Sequence, residues 1–266
     1  MLGKLFKHEF KATLRIFLPM YALLIVVSLV NKWIRELQNT NSAFGGILVV
    51  VPIILYVGII MAILFVSIMM LIQRFYKNLL GDEGYLTHTL PVKPWQHITC
   101  KLSTSSFWNL MSTIMVTLSI LLVTVRISEW GNLWKDFQSL LASAGTVLGG
   151  DANAVFWGAL LLGFVYLIEK TLMVYAGLGI GQCAAKRKVA FSIAMIVALN
   201  IAEQILTFAV LRVLPVFLPN FPIFMRAASG TDFTALFQWS LGCAVVFGVI
   251  YAVITNWMLK RRLNLA

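Results

Sequence analysis

The chain has 266 residues, of which 60% are hydrophobic and 12% charged, against about 25% charged in an ordinary soluble domain. A soluble fold of this length has no interior large enough for that much apolar side chain, so the excess must face lipid. The net charge of +11 would suit a nucleic-acid binder in a soluble protein, but here the basic residues lie mostly between apolar runs, where anionic headgroups hold them; the partner implied is membrane lipid and not nucleic acid.

The first 15 residues carry Lys4, Lys7, His8, Lys11 and Arg15 at helical spacing, with Leu2, Leu5, Phe6, Phe10, Leu14 and Phe17 opposite. That periodicity predicts an amphipathic helix over 1–15, lying in the inner headgroup layer and then turning into the first span. The apolar run behind it is expected to be a retained span rather than a cleaved signal, since Glu9 precedes it and no small-x-small site follows. A spanning helix needs about 20 mostly apolar residues, and six runs qualify: about 16–34, 44–72, 102–125, 154–182, 189–211 and 235–258. Pro19 lies near the start of the first, and Pro52 is expected to kink the second. The predicted architecture is an all-α integral membrane protein with one membrane domain over 1–266.

Between the second and third spans runs RFYKNLLGDEGYLTHTLPVKPWQHITCKL. Gly81 and Gly84 bracket Asp82 and Glu83. Tyr85–Leu90 suffices for a turn or two of helix, which Pro91 ends because the residue before proline avoids helical angles. Pro94 suits the first turn of the next helix. A short helix on two stalks, bearing Tyr85, Leu86 and Leu90, is shaped to plug into a partner.

Beyond the third span, Ile127, Trp130, Leu133, Trp134, Phe137, Leu140, Leu141 and Ala144 form one stripe of an outer helix, with Ser128, Glu129, Asn132, Lys135, Asp136 and Ser139 opposite. Tryptophan favours the membrane interface, so this helix should lie on the outer leaflet or pack on the bundle. In the fourth span, Glu169 and Lys170 sit near the middle, and Gly177, Gly179 and Gly181 near the inner end, where Gly177 and Gly181 would permit close helix packing. A charged side chain at mid-membrane costs about 2.5–3.5 kcal/mol on insertion scales. Sequence neighbours project to different sides of a helix, so Glu169 and Lys170 are not expected to pair simply. Asn200, Glu203, Gln204 and Thr207 make a polar stripe on the fifth span. The charges serve either a translocation pathway or helix packing, for example through a Lys170–Glu203 pair. Before the sixth span, Pro215, Pro219 and Pro222 in LPVFLPNFPIF predict a broken, re-entrant element.

Orientation follows from Lys and Arg. Fourteen fall on the side of both termini: Lys4, Lys7, Lys11, Arg15, Arg74, Lys77, Lys93, Lys101, Lys186, Arg187, Lys188, Lys260, Arg261 and Arg262. Six fall on the other side: Lys32, Arg35, Arg126, Lys135, Arg212 and Arg226. Both termini should therefore be cytoplasmic. Cys100, Cys183 and Cys243 are far apart and odd in number, and are read as free thiols. His8, His88 and His97 fall in cytoplasmic segments and should be solvated or interfacial. No phosphate-binding Gly-x-x-x-x-Gly-Lys-Ser/Thr loop, His-Glu-x-x-His, Gly-x-Ser-x-Gly or His/Cys metal cluster is present, so the chain is expected to be no enzyme, to hold no metal and to bind no cofactor itself.

The loop after the second span resembles that of the transmembrane subunits of type-2 ATP-binding-cassette (ABC) exporters. The likeness lies in the acidic Asp82–Glu83, the short helix Tyr85–Leu90, the Leu90-Pro91-Val92 stretch and the basic Lys101 opening the third span. It extends in layout to the N-terminal amphipathic helix, the six spans and the broken element before the sixth. The resemblance implies a permease subunit of a bacterial plasma membrane. A second permease subunit, identical or not, and separate ATPase subunits carrying ATP and Mg would complete the transporter. It implies that Asp82, Glu83, Gly84, Tyr85, Leu86, Thr87, His88, Thr89, Leu90 and Pro91 form a coupling helix docked on the ATPase. The charges inside spans four and five, Glu169, Lys170 and Glu203 with Asn200 and Gln204 beside them, and the long outer helix are not general marks of that family. They leave the cargo open. The second reading is an ion-coupled secondary transporter that uses Glu169, Lys170 and Glu203 as coupling residues; the third is a membrane immunity or scaffold protein that binds without moving its ligand.

Overall fold

Inside a bilayer no water is available to backbone N–H and C=O groups, and a continuous helix satisfies them within one segment. The computed structural model describes residues 2–37, 43–77, 94–125, 131–148, 150–184, 187–217 and 233–261. Among these are seven helices and no strand: α1 (Leu2–Leu37), α2 (Ala43–Phe75), α3 (Pro94–Thr124), α4 (Leu133–Leu148), α5 (Ala152–Gly181), α6 (Lys188–Phe217) and α7 (Phe233–Arg261). All but α4 contain stretches long and apolar enough to cross a membrane. Large apolar side chains such as Leu18, Ile54, Phe65, Leu161 and Val253 stand uncovered on them, as lipid-facing residues do. The chain is a multi-pass helical membrane protein.

Several expected boundaries shift. The helix over 1–15 and the first span are one uninterrupted helix, with no turn at Ile16. Nothing between Lys4 and Leu18 breaks a helix, and Pro19 is carried inside it. α3 starts at Pro94, about two turns before the expected 102, because proline is pre-organised for a first turn. This early start puts His97 inside a helix and buried, not solvated. α6 continues through Pro215 to Phe217; the rest of the expected re-entrant element, and the coupling segment Asp82–Pro91, lie outside the described residues. The outer helix α4 is present, with a narrower covered face than the full apolar stripe. Phe137 packs edge-on against Phe156 of α5 at 5.5 Å, while Trp134 and Leu140 are exposed.

The chain forms two compact units, Met1–Gln73 with Thr99–Leu133, and Arg74–Ile98 with Trp134–Ala266. The first is built on aromatic stacking and hydroxyl pairs. Trp108 of α3 stacks on Phe17 of α1 with ring centroids 4.8 Å apart and planes 7° from parallel, and on Phe10 at 5.1 Å. Leu24 and Ile63 fill the same core. Tyr21 bonds Ser112 at 2.7 Å, Ser112 bonds Ser67 at 3.0 Å, and Tyr56 bonds Ser119 at 2.8 Å, so α1, α2 and α3 share one polar thread through an apolar core. Asn31 donates from one amide nitrogen to the carbonyls of Val27 and Pro52, tying α1 to α2 where the proline sits.

In the second unit α5 packs against both α6 and α7. The glycines of α5 set the approach. A Cβ on Gly177 would lie 2.5 Å from Ile196 Cγ1 and 3.1 Å from its backbone nitrogen, and one on Gly181 would lie 2.6 Å from Ser192 Cα. Gly177 and Gly181, one turn apart, therefore meet Ile196 and Ser192, one turn apart on α6, as small-residue packing in membranes requires. Gly179 turns to the other neighbour, where its Cβ would stand 3.4 Å from Met258. Phe75 stacks on Tyr175 at 4.0 Å and 12°.

Gly181→Ala should destabilise the folded chain by about 1–3 kcal/mol through overpacking. Gly163→Ala, whose Cβ would meet nothing within 4 Å, should gain up to about 1 kcal/mol of helix stability. Denaturant titration of both variants in micelles checks the contrast; equal stability would place the close approach elsewhere.

Candidate functional site

Charge inside the second unit gathers around one lysine. Lys170 projects from α5 and donates to Glu203 Oε1 of α6 at 2.7 Å. Its Nζ also lies 3.4 Å from Glu169 Oε2. The expectation that neighbours 169 and 170 would not pair is corrected here: the four-carbon lysine stem is long enough to bring the ammonium back across its own helix face. The same ammonium stands 4.7 Å from the centre of the Tyr166 ring, a cation–π distance. From α7, Tyr251 donates its hydroxyl to Glu203 Oε2 at 3.2 Å. Three helices thus meet at one carboxylate.

The two glutamates are not equivalent. Glu203 is 6% exposed and has a donor on each oxygen. Glu169 is 1% exposed, and neither oxygen has a hydrogen-bond partner among the described residues. Its side chain lies against α7, where a Cβ on Gly248 would be 3.8 Å from Glu169 Cβ. With all three groups ionised, the cluster holds two negative charges and one positive. Burying unbalanced charge is costly, and removing one partner of such a group costs more than the pair contributes.

The remaining polar residues of the stripe are only partly drawn in. Gln204 donates to Asn200 at 2.8 Å, and Asn200 reaches Met173 Sδ at 4.0 Å; Gln204 itself is exposed. Tyr166 and Tyr251 were not among the expected site residues. Their signal is a phenol within an apolar span, which distance along the chain does not connect to Glu203.

Between α6 and α7 lies an apolar cavity of about 480 Å³, whose wall includes Leu206, Thr207, Val210, Trp239, Gly242 and Phe247. Cys243, a free thiol, also lines it. Among the described residues no three His, Cys, Asp or Glu side chains converge as metal ligands.

A second ion pair lies in the first unit. Lys101 of α3 pairs with Glu9 of α1 at 2.9 Å, with side chains 6% and 14% exposed. It joins α1 to α3 within that unit. Phe10, the residue after Glu9, packs on Phe107 at 5.1 Å and continues the contact towards Trp108.

Lys170→Met should destabilise the chain by about 3–5 kcal/mol, because two buried carboxylates lose their counter-charge. Adding Glu203→Gln to that variant should recover part of the loss, whereas Tyr251→Phe should cost about 0.6–1.7 kcal/mol, the scale of one interhelical hydrogen bond in a membrane. Denaturant titrations of the single and double variants test the cluster; a double variant as unstable as the sum of its parts would mean the groups act independently. No protein-family model matches the chain, nor does any curated protein or solved structure, and its function rests on the residues described above.

Proposed function

We propose that the chain is the membrane-spanning subunit of an ABC exporter in a bacterial plasma membrane. In this reading it has no catalytic residues. A second permease subunit, identical or related, stands beside it, and separate ATPase subunits bring ATP and Mg. The segment Asp82–Pro91 docks on the ATPase, and its Tyr85, Leu86 and Leu90 side chains enter the partner's surface. Both termini face the cytoplasm, as the Lys and Arg bias requires.

The observation that carries this reading is the buried Glu9–Lys101 pair. Lys101 stands seven residues after Pro94 in α3, about 10 Å along the helix from its start. A push on the segment 78–93 would reach the start of α3 along the chain, and the ion pair would pass it to α1. Exposed ion pairs contribute little rigidity, but this one is covered on both sides and reinforced by the Phe10–Trp108 stack beside it. A membrane protein that only binds a ligand has no need to link its N-terminal helix to the helix that follows this segment.

A second reading keeps one observation in its favour. The buried carboxylate Glu169, beside Lys170 and Glu203, is what an ion-coupled secondary transporter would place at mid-membrane. That transporter would need no docking loop.

Co-purification with ATPase subunits encoded beside this chain separates the two. The native chain should retain an ATPase, and the triple variant Tyr85→Ala, Leu86→Ala, Leu90→Ala should lose it. Lys101→Met should keep the ATPase bound while transport per ATP hydrolysed falls several-fold. Absence of any ATPase on the intact chain, with ATP or without, would overturn the exporter reading in favour of ion coupling.

A further inference from the structure

The charged cluster and the apolar cavity are neighbours, and their chemistry is complementary to one kind of ligand. Thr207, on the cavity wall, is one helical turn beyond Glu203 on α6. Phe247, on the same wall, is one turn before Tyr251 on α7 and stacks towards it at 6.2 Å. One turn is about 5.4 Å, so the carboxylates stand at one end of the cavity and not at a distance from it. The cavity's volume, about 480 Å³, falls within the roughly 300–1,000 Å³ of small-molecule sites. Its wall is almost wholly apolar, and Leu206 and Val246 are exposed beside it, so a ligand dissolved in the bilayer can enter sideways.

Charge selects among such ligands. Lys170 answers one glutamate, Glu203, at 2.7 Å. Glu169 is almost fully buried, 3.4 Å from the same ammonium, and a second negative charge there is sustained only where a second cation answers it. A neutral lipid chain would fill the cavity but supply no such cation. An amphiphilic anion would oppose that charge. The geometry points to a binding site for lipophilic monocations, with the apolar body in the α6–α7 cavity and the positive charge directed towards the Glu169–Lys170–Glu203 cluster. Electrostatic attraction across a few ångströms of low-dielectric protein is strong enough to discriminate by sign. Aromatic walls from Trp239 and Phe247 add a face favourable to cations. As a binding site this needs no ATPase; only the statement that the bound cation is the cargo rests on the exporter reading.

The test uses the full chain in phosphatidylcholine nanodiscs, without ATPase, and two probes of the same shape and opposite charge, tetraphenylphosphonium and tetraphenylborate. Binding is measured by equilibrium dialysis against empty nanodiscs. The phosphonium should bind saturably and the borate should not. Glu169→Gln, which removes the second carboxylate while keeping the Lys170–Glu203 pair, should weaken phosphonium binding about tenfold or more. Gly242→Leu should abolish it, since a Cβ there meets nothing within 4 Å and the added side chain enters the cavity without disturbing the helices. Equal binding of both probes, or undiminished phosphonium binding by Glu169→Gln, would reduce the cavity to a lipid-filled niche and overturn the proposal. Retained binding by Gly242→Leu would place the cation elsewhere and overturn it too, as would no saturable binding of either probe. If Glu169→Gln fails to fold, the borate comparison and Gly242→Leu still decide. Because no ATPase is present, failure here leaves the docking reading intact, and failure of docking leaves this result intact.

Discussion

A polar group inside a bilayer has no water to fall back on, and that constraint shapes the polar contacts between helices among the described residues. Tyr21, Ser67 and Ser112 bond across three helices because each hydroxyl would otherwise stand in hydrocarbon. Asn31 bonds the carbonyl of Pro52. Lys170 reaches two carboxylates from one stem. Van der Waals fit at Gly177 and Gly181 brings α5 and α6 close enough for the Lys170–Glu203 bond to be short. The helices would be apolar rods without these groups; with them, each helix has a preferred face.

The two buried ion pairs differ in what they can do. Glu9–Lys101 pairs opposite charges and joins two helices of the first unit. It suits transmission of force. The cluster on α5, α6 and α7 is unbalanced and borders a cavity. It suits recognition. In the proposed exporter the two tasks would fall on separate sets of helices.

Much of the fold was legible because apolar length is a one-dimensional signal. Six runs were visible as spans, and the periodic stripe around Leu133–Ala144 marked α4. The Gly177–Gly181 spacing pointed to a close contact, and Lys170 with Glu203 was one of the pairings their positions allowed. What the residues in order could not convey was reach. The backbone rule that neighbours diverge hid the Lys170–Glu169 contact, since it ignores a stem of four methylenes. The amphipathic start of α1 looked like a separate helix because its polarity changes at Ile16, although nothing in the backbone there stops the helix. Tyr251 lies 48 residues from Glu203, and one phenol in an apolar span does not announce its partner.

The Lys170–Glu203 bond also bears on how the chain is made. α5 enters the membrane during synthesis before α6 exists, carrying Glu169 and Lys170 at a cost of about 2.5–3.5 kcal/mol for each charge placed at the helix centre. Only six residues separate Gly181 from Lys188, so the helix that brings Glu203 follows at once. The favourable order is for the two to leave the insertion machinery together, as a hairpin already closed by its glycines and its ion pair. A helix that is a poor solo passenger becomes an acceptable one in company, once Glu203 stands beside Lys170.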